Sequence, residues 1–228
     1  MKICKVNENE YDFVFDLGKK LLNFDSLLTQ ENQIFNDNLC AIVVNEIIKN
    51  ATNGYFIKSD DDFIIGVLIY TIPNREILFK NIQNDLPKHY QNWKEYLQTN
   101  MLNTSETIIV NKEVDIMNAF KELSNSYQNL LVNKAEINLL YIEKKHRNKF
   151  LSKFLFLQFA NDLLSSNYHS FFLYTTSEYN YFLYEKIGMK GVRKTIYDYD
   201  NAPLYIQFKH NLPYFAMLYF GNIKDLNL

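Results

Sequence analysis

The chemistry-bearing residues of this chain are concentrated between residues 135 and 191. Ala135–Ile142, reading A-E-I-N-L-L-Y-I, has the apolar content and interspersed polar positions of a largely buried strand, and it stops at Glu143. Lys144, Lys145, His146 and Arg147 follow, and the segment up to residue 160 holds few breakers and has the length of a helix. A basic turn feeding a helix N-terminus can grip an anion such as a diphosphate. The first-turn N–H groups have no intrahelical carbonyl partner there, and the positive end of the helix dipole points the same way. Glu136 lies on the entering strand. Beyond one further strand, residues 171–176, comes a short tyrosine-bearing helix around Tyr184, closed by Gly188.

Residues 140–156 resemble the cofactor-binding motif of the GNAT superfamily of N-acetyltransferases, L-x-V-x-P-x-x-R-G-x-G-I-G. Here the motif reads Leu140, Ile142, Lys144, Arg147, Asn148, Phe150, Leu151 and Ser152. The arginine, the two apolar strand positions and the spacing match, whereas the proline and all three glycines do not. A second pattern of the family, N-x-x-x-x-Y-E-K-x-G-F, is met by Asn180, Tyr184, Glu185, Lys186, Gly188 and Met189. The two matches lie one strand apart, as the fold requires.

The resemblance implies an α/β fold with a mixed, mostly antiparallel central sheet flanked by helices. It implies acetyl-CoA as co-substrate, with no metal. The pyrophosphate would rest on Arg147, Asn148, Lys149, Phe150, Leu151 and Ser152, the pantetheine beside Leu140, Tyr141 and Ile142, with Asn180 as a further cofactor contact. A primary amine of a small molecule or peptide would attack the thioester directly. Tyr184 stands at the family's general-acid position, and a phenol near pKa 10 exceeds a thiol by roughly 1.5 units. Glu136 is the candidate for proton removal. The alternative is a catalytically weak acyl-CoA-binding or interaction module that keeps the fold.

Glycine serves in such turns because a side chain obstructs backbone approach to a diphosphate or resists a positive φ. None of the six glycines lies between Arg147 and Ser152. Asn148 tolerates a left-handed conformation, and Ser152 is small and can donate a hydroxyl hydrogen bond. Phe150 is the bulky replacement: either its ring turns into the core and leaves the amides free, or it narrows the groove.

Composition excludes several classes. The chain has 228 residues, 47% of them hydrophobic, enough for a sizeable core and too many for a disordered chain. A formal charge of −2 offers no basic footprint for nucleic acid. Cys4 and Cys40 are too few for a disulfide framework, and the longest apolar run, residues 214–220, is too short to span a bilayer, so a cytoplasmic protein without membrane or nucleic-acid partners is expected. His146 flanks the turn, while His89, His169 and His210 lack ligand spacing, so no metal site is expected.

The remaining elements must position these residues. The sequence predicts an edge strand at residues 2–6, helices at Tyr11–Leu22 and residues 32–50, and a hairpin of residues 54–58 and 63–71 around an acidic turn, Asp60 to Asp62. Residues 74–133 form an insertion between the third and fourth strands, too long for a structureless loop. Within it residues 93–101 and 114–131 read as helices and 107–110 as a short strand, and the insertion either lids the substrate side or extends the core. Residues 192–199 and 204–209 read as the closing antiparallel pair, and the run at 214–220 either finishes the sheet or packs across a homodimer interface. A single GNAT-like domain over residues 1–228 is expected.

Overall fold

The computed structural model describes residues 1–22, 33–147, 150–179, 181–203, 207 and 212–227. In chain order the elements are β1 (Lys2–Lys5), α1 (Tyr11–Leu22), α2 (Gln33–Ile48), β2 (Asn53–Lys58), β3 (Ile64–Thr71), α3 (Lys80–Thr99), α4 (Thr104–Ser126), α5 (Gln128–Leu131), β4 (Ala135–Ile142), α6 (Leu151–Ser165), β5 (Ser170–Thr176), α7 (Phe182–Lys186), β6 (Lys190–Tyr197) and β7 (Tyr214–Asn222). The fold is mixed α/β, its strands mostly antiparallel and flanked by helices. Two compact units contain these elements, one of Met1–Asn103 with Ile137–Ser166 and one of Thr104–Glu136 with Asn167–Leu228.

In the first unit the strand order is β1-β2-β3-β4. Both β1–β2 and β2–β3 are antiparallel, the latter in register from Asn53 opposite Tyr70 to Lys58 opposite Ile64. The acidic turn closes this hairpin, with the Ser59 N–H donating to the Phe63 carbonyl over 2.8 Å. The core gathers Val14 and Leu17 of α1, Val44 and Ile48 of α2, and Phe56, Val67, Ile69, Leu139 and Tyr141 of the strands. Each fully buried aliphatic side chain of this kind contributes roughly 1.5–3 kcal/mol relative to exposure. Gly66 lets β3 approach β4, since a Cβ there would lie 2.6 Å from Ile142 Cδ1.

The insertion is helical throughout its long elements and is shared between the units. α3 begins at Lys80, well before the predicted residue 93, and carries Pro87 within it. Its buried Ile82 and Leu86 set its inner face, and it packs on α2. The short strand predicted at 107–110 does not form, because Thr107, Ile108, Ile109 and Val110 are part of α4. Their β-branched run favours a strand locally. Burial of Glu106, Ile109, Lys112, Ile116, Ala119 and Leu123, three and four residues apart, shows the helical period that prevails.

In the second unit the order is β5-β7-β6, with both pairings antiparallel. α4 lies on this sheet, where Ala119 and Leu123 join Phe172, Ala216 and Leu218 in one cluster and Ile116 joins Tyr197 and Tyr214 in another. The strand predicted at 204–209 is not the partner of β6. Gln207 is helical, residues 204–206 and 208–209 lie outside the described residues, and β6 pairs with β7 from Lys190 opposite Phe220 to Tyr197 opposite Tyr214. The apolar run at the end of the chain therefore finishes the sheet. It is buried on both faces, with Tyr214, Ala216, Met217, Leu218 and Tyr219 at 1% exposure or less. Among the described residues no helix is long and apolar enough to cross a membrane.

Candidate functional site

Two groups of residues carry the candidate chemistry, one in each unit. Burial alternates strictly along β4, whose residues from Ile137 on belong to the first unit, with Ala135, Ile137, Leu139 and Tyr141 buried and Glu136, Asn138, Leu140 and Ile142 half-covered. The period of two thus places Glu136 on the same strand face as Leu140 and Ile142. Tyr141 packs its ring into the core, so only its main chain is available to a ligand. After Ile142 the Glu143 N–H donates to the Ile65 carbonyl over 2.9 Å, and Lys144–His146 form one short 3-10 turn. Arg147 is exposed, and its Nε donates to the Ile142 carbonyl over 3.0 Å, tying the turn back to the end of β4. Asn148 and Lys149 lie outside the described residues.

Phe150 is the informative residue of this turn. It caps α6 with φ 56° and ψ 18°, the left-handed region, and it stands where the acetyltransferase motif has its middle glycine. For an L-residue that conformation costs roughly 1–2 kcal/mol. The backbone keeps a glycine-like path without a glycine. Of the two orientations expected for its ring, the core is excluded: Phe150 is 76% exposed. Leu151 is buried and Ser152 half-buried, which anchors the first turn of α6 beneath its N–H groups. Of the two expectations, the exposed ring leaves the one in which Phe150 narrows the groove.

A part-buried polar clamp in the same unit ties α6 to the sheet. Asp162 accepts hydrogen bonds from the Tyr70 hydroxyl over 2.5 Å and from the Tyr55 hydroxyl over 3.1 Å, linking the helix to β2 and β3. Tyr70 is fully buried, and burial followed by the Asp162 hydrogen bond drives its phenol far above the ordinary value. Tyr55 is pushed up to about 12 by burial and the same carboxylate. Sequence reading missed this clamp because three residues from three elements carry no common spacing.

In the second unit Tyr184 is half-buried on α7, its ring 5.5 Å from that of Tyr219. Burial pushes its phenol up to about 12. The hydroxyl makes no hydrogen bond among the described residues. Its neighbour Glu185 accepts from the Tyr219 hydroxyl over 2.9 Å and pairs with Arg193 at 2.7 Å, and the guanidinium lies over the Tyr181 ring at 5.2 Å. Two glycines permit this packing. Gly188 has φ 93° and leaves no room for a Cβ beside the Asp225 carbonyl, while a Cβ on Gly191 would sit 2.5 Å from the Tyr219 ring. Glu136, also in this unit, is raised to about 7 by burial alone. Its charge in turn helps raise the Tyr174 phenol, after burial. Asn180 lies outside the described residues.

A third constellation in this unit was not anticipated. Lys112 of α4, 6% exposed, pairs with Glu178 at 2.8 Å, and Glu178 also accepts from the Tyr214 hydroxyl over 3.1 Å. Beside them Glu113 is raised to about 7 by burial, opposed by Lys112 and reinforced by Glu178. Tyr197 donates to Asp115 over 2.5 Å. A lysine at a buried helix position was the available sequence signal. Among the described residues no group of three His, Cys, Asp or Glu side chains is placed to hold a metal.

No known protein family matches the chain by sequence, and no curated protein does. Solved structures do match. A candidate arylalkylamine N-acetyltransferase 7 from the yellow fever mosquito Aedes aegypti aligns at a TM-score of 0.55 with 10% identity, over 97% of this chain and 86% of that one. Arylalkylamine N-acetyltransferase 2 of Aedes aegypti aligns at 0.52 with 15% identity, over 97% and 98%. An acetyltransferase of the GNAT family from Staphylococcus aureus Mu50 aligns at 0.47 with 10% identity, over 97% and 98%.

Proposed function

We propose, from the GNAT acetyltransferase fold that this chain adopts, that it is an acetyl-CoA-dependent N-acetyltransferase acting on a primary amine. The observation that carries the reading is the turn before α6, where Phe150 holds φ 56° at a glycine position of the motif and Arg147 ties the turn to β4. In the proposed reaction Arg147, Leu151 and Ser152 hold the diphosphate, and the main chain of residues 140–142 lies along the pantetheine.

The amine nitrogen attacks the thioester carbonyl, forming the C–N bond as the C–S bond breaks. Glu136, with a carboxyl near 7, takes the proton that the nitrogen sheds. Tyr184 donates a hydrogen bond to the sulfur as charge gathers on it. A phenol held at about 12 stays protonated throughout the neutral range, so this donor is always present. The products are an N-acetylated amine and free coenzyme A, whose thiolate takes up a proton as Glu136 returns its own to solvent. The second reading, a catalytically weak acyl-CoA-binding module, draws on the same Phe150, whose bulk replaces a glycine. Release of free thiol from acetyl-CoA with a panel of amines separates them. Turnover that falls in Tyr184→Phe supports transfer, whereas saturable coenzyme A binding with no thiol release from any amine leaves the module.

A further inference from the structure

The outward side of α6, all of it in the first unit, is apolar where a surface helix is ordinarily polar. Leu155, Phe156, Phe159 and Leu163 turn into the core, yet Phe154, Leu157 and Leu164 on the opposite side are 41%, 38% and 47% exposed. At about 100° per residue these three fall within an arc of about 80°, so they form one stripe along the helix. Phe150, with its exposed ring, stands at the N-terminal end of the stripe. Large apolar side chains aligned on solvent are a patch, not the scattered exposure that any protein shows.

The charges beside the stripe are of one sign. Lys144, Lys145 and Arg147 are exposed on the turn that leads into α6, and Lys153 is exposed in its first turn. At the other end of the helix Arg75 Nη2 donates to Ser166 Oγ over 2.9 Å. Of the acids, Glu143 pairs with Lys145 at 3.2 Å, and Asp162, the one acid in α6, is held by Tyr55 and Tyr70. In the hairpin turn Asp60 pairs with the N-terminal amine and Asp62 with Lys2. Whatever covers the stripe must therefore bring both hydrocarbon and negative charge. A second copy of this chain does not. Antiparallel pairing centred on Leu157 would lay one stripe on the other, but it sets Lys153 against Asn161 and the basic turn toward Arg75 of the second copy. The stripe is also the convex side of a helix, a ridge that offers a peptide no groove. An anionic bilayer supplies phosphates at the level of the cations and acyl chains beneath them, over a plane that a ridge can enter.

We propose that α6 docks this chain on an anionic lipid surface, with Phe154, Leu157 and Leu164 entering the headgroup layer and Lys144, Lys145 and Lys153 on the lipid phosphates. The expectation of a chain without a membrane partner follows from the length of its apolar runs, which bears on spanning a bilayer and not on lying at its interface. Docking of this kind does not depend on acetyl transfer.

The test is cosedimentation of the whole chain with vesicles of phosphatidylcholine, with and without phosphatidylglycerol. Arg147 and Phe150, which belong to the candidate cofactor turn, stay unchanged in the variants. Wild type should bind the mixed vesicles at least about tenfold more tightly than the neutral ones and lose that margin in high salt. Leu157→Gln with Leu164→Gln should weaken binding by roughly tenfold at an unchanged circular dichroism spectrum. Lys144→Gln with Lys153→Gln should weaken binding to the mixed vesicles by roughly 25-fold, about fivefold per cation, and leave binding to the neutral ones unaltered. A folded wild type that sediments with no vesicle overturns the proposal. Equal binding to neutral and anionic vesicles does so too, as does wild-type affinity in either double variant. Sedimentation equilibrium without lipid is the other arm: a wild-type dimer that the leucine variant dissociates assigns the stripe to a second copy and overturns the bilayer.

Discussion

Phe150 offers the sharpest physical test, because its left-handed backbone and its side chain can be separated by two substitutions. Phe150→Ala removes the ring but keeps a Cβ at φ 56°, so the penalty of roughly 1–2 kcal/mol for a left-handed L-residue remains. Phe150→Gly removes ring and penalty together, at an unfolded-state entropy cost of roughly 0.5–1 kcal/mol. The ring is 76% exposed, so its burial contributes little and is lost equally in both variants. The difference between them isolates the backbone term. Phe150→Gly should be about 1 kcal/mol more stable than Phe150→Ala, equivalent to about 2–4 °C in melting temperature for a chain of this size. Urea unfolding followed by far-ultraviolet circular dichroism measures it. A Phe150→Gly protein less stable than Phe150→Ala would refute the left-handed cap and with it the kinship of this turn to a glycine loop.

Further outcomes follow from the same geometry. Tyr184→Phe should lower kcat by at least about 10²-fold, the lower range for one general acid, while the dissociation constant for acetyl-CoA stays within about twofold. In wild type kcat/KM should rise through about pH 7 as Glu136 ionises, and Glu136→Gln should remove that limb. For stability the sign is opposite: a carboxyl raised from 4.5 to about 7 on folding favours the folded state at low pH and loses that contribution as pH rises through 7. Urea midpoints should therefore fall between about pH 4.5 and 7, and Glu136→Gln should shrink the fall, the remainder belonging to Glu113, which is raised to the same value. Asp162→Ala, which strands the buried Tyr70 hydroxyl, should cost roughly 1–3 kcal/mol by urea unfolding, and Tyr70→Phe should cost less because no orphan donor remains.

The amino-acid sequence made the strand-turn-helix and the tyrosine helix legible because both depend on local patterns. Alternation in Ala135–Ile142, the basic run ending at Arg147 and the Tyr184-Glu185-Lys186 triplet all express themselves within a few residues. Tyr11–Leu22 has the bounds its apolar spacing predicts. Errors arose where local preference and tertiary burial disagree. Thr107 to Val110 favour a strand by side-chain shape, yet α4 needs that turn to complete its buried face. Residues 204–209 alternate well, yet the run at 214–220, buried on both faces, takes the place beside β6. The Asp162 clamp and the Lys112–Glu178 pair were illegible because each joins residues brought together only by folding, 66 to 107 positions apart. The left-handed state of Phe150 was hidden for another reason: phenylalanine is the last side chain one expects at that dihedral.

We propose that the helix tip beyond β4 holds a diphosphate without glycines. Titration calorimetry with coenzyme A and with pantetheine, which lacks the nucleotide diphosphate, tests it most directly. The expected result is saturable one-to-one binding of coenzyme A that weakens with added salt, and affinity for pantetheine lower by at least about tenfold. Equal affinity for the two ligands, or no heat from coenzyme A with a folded protein, would contradict it.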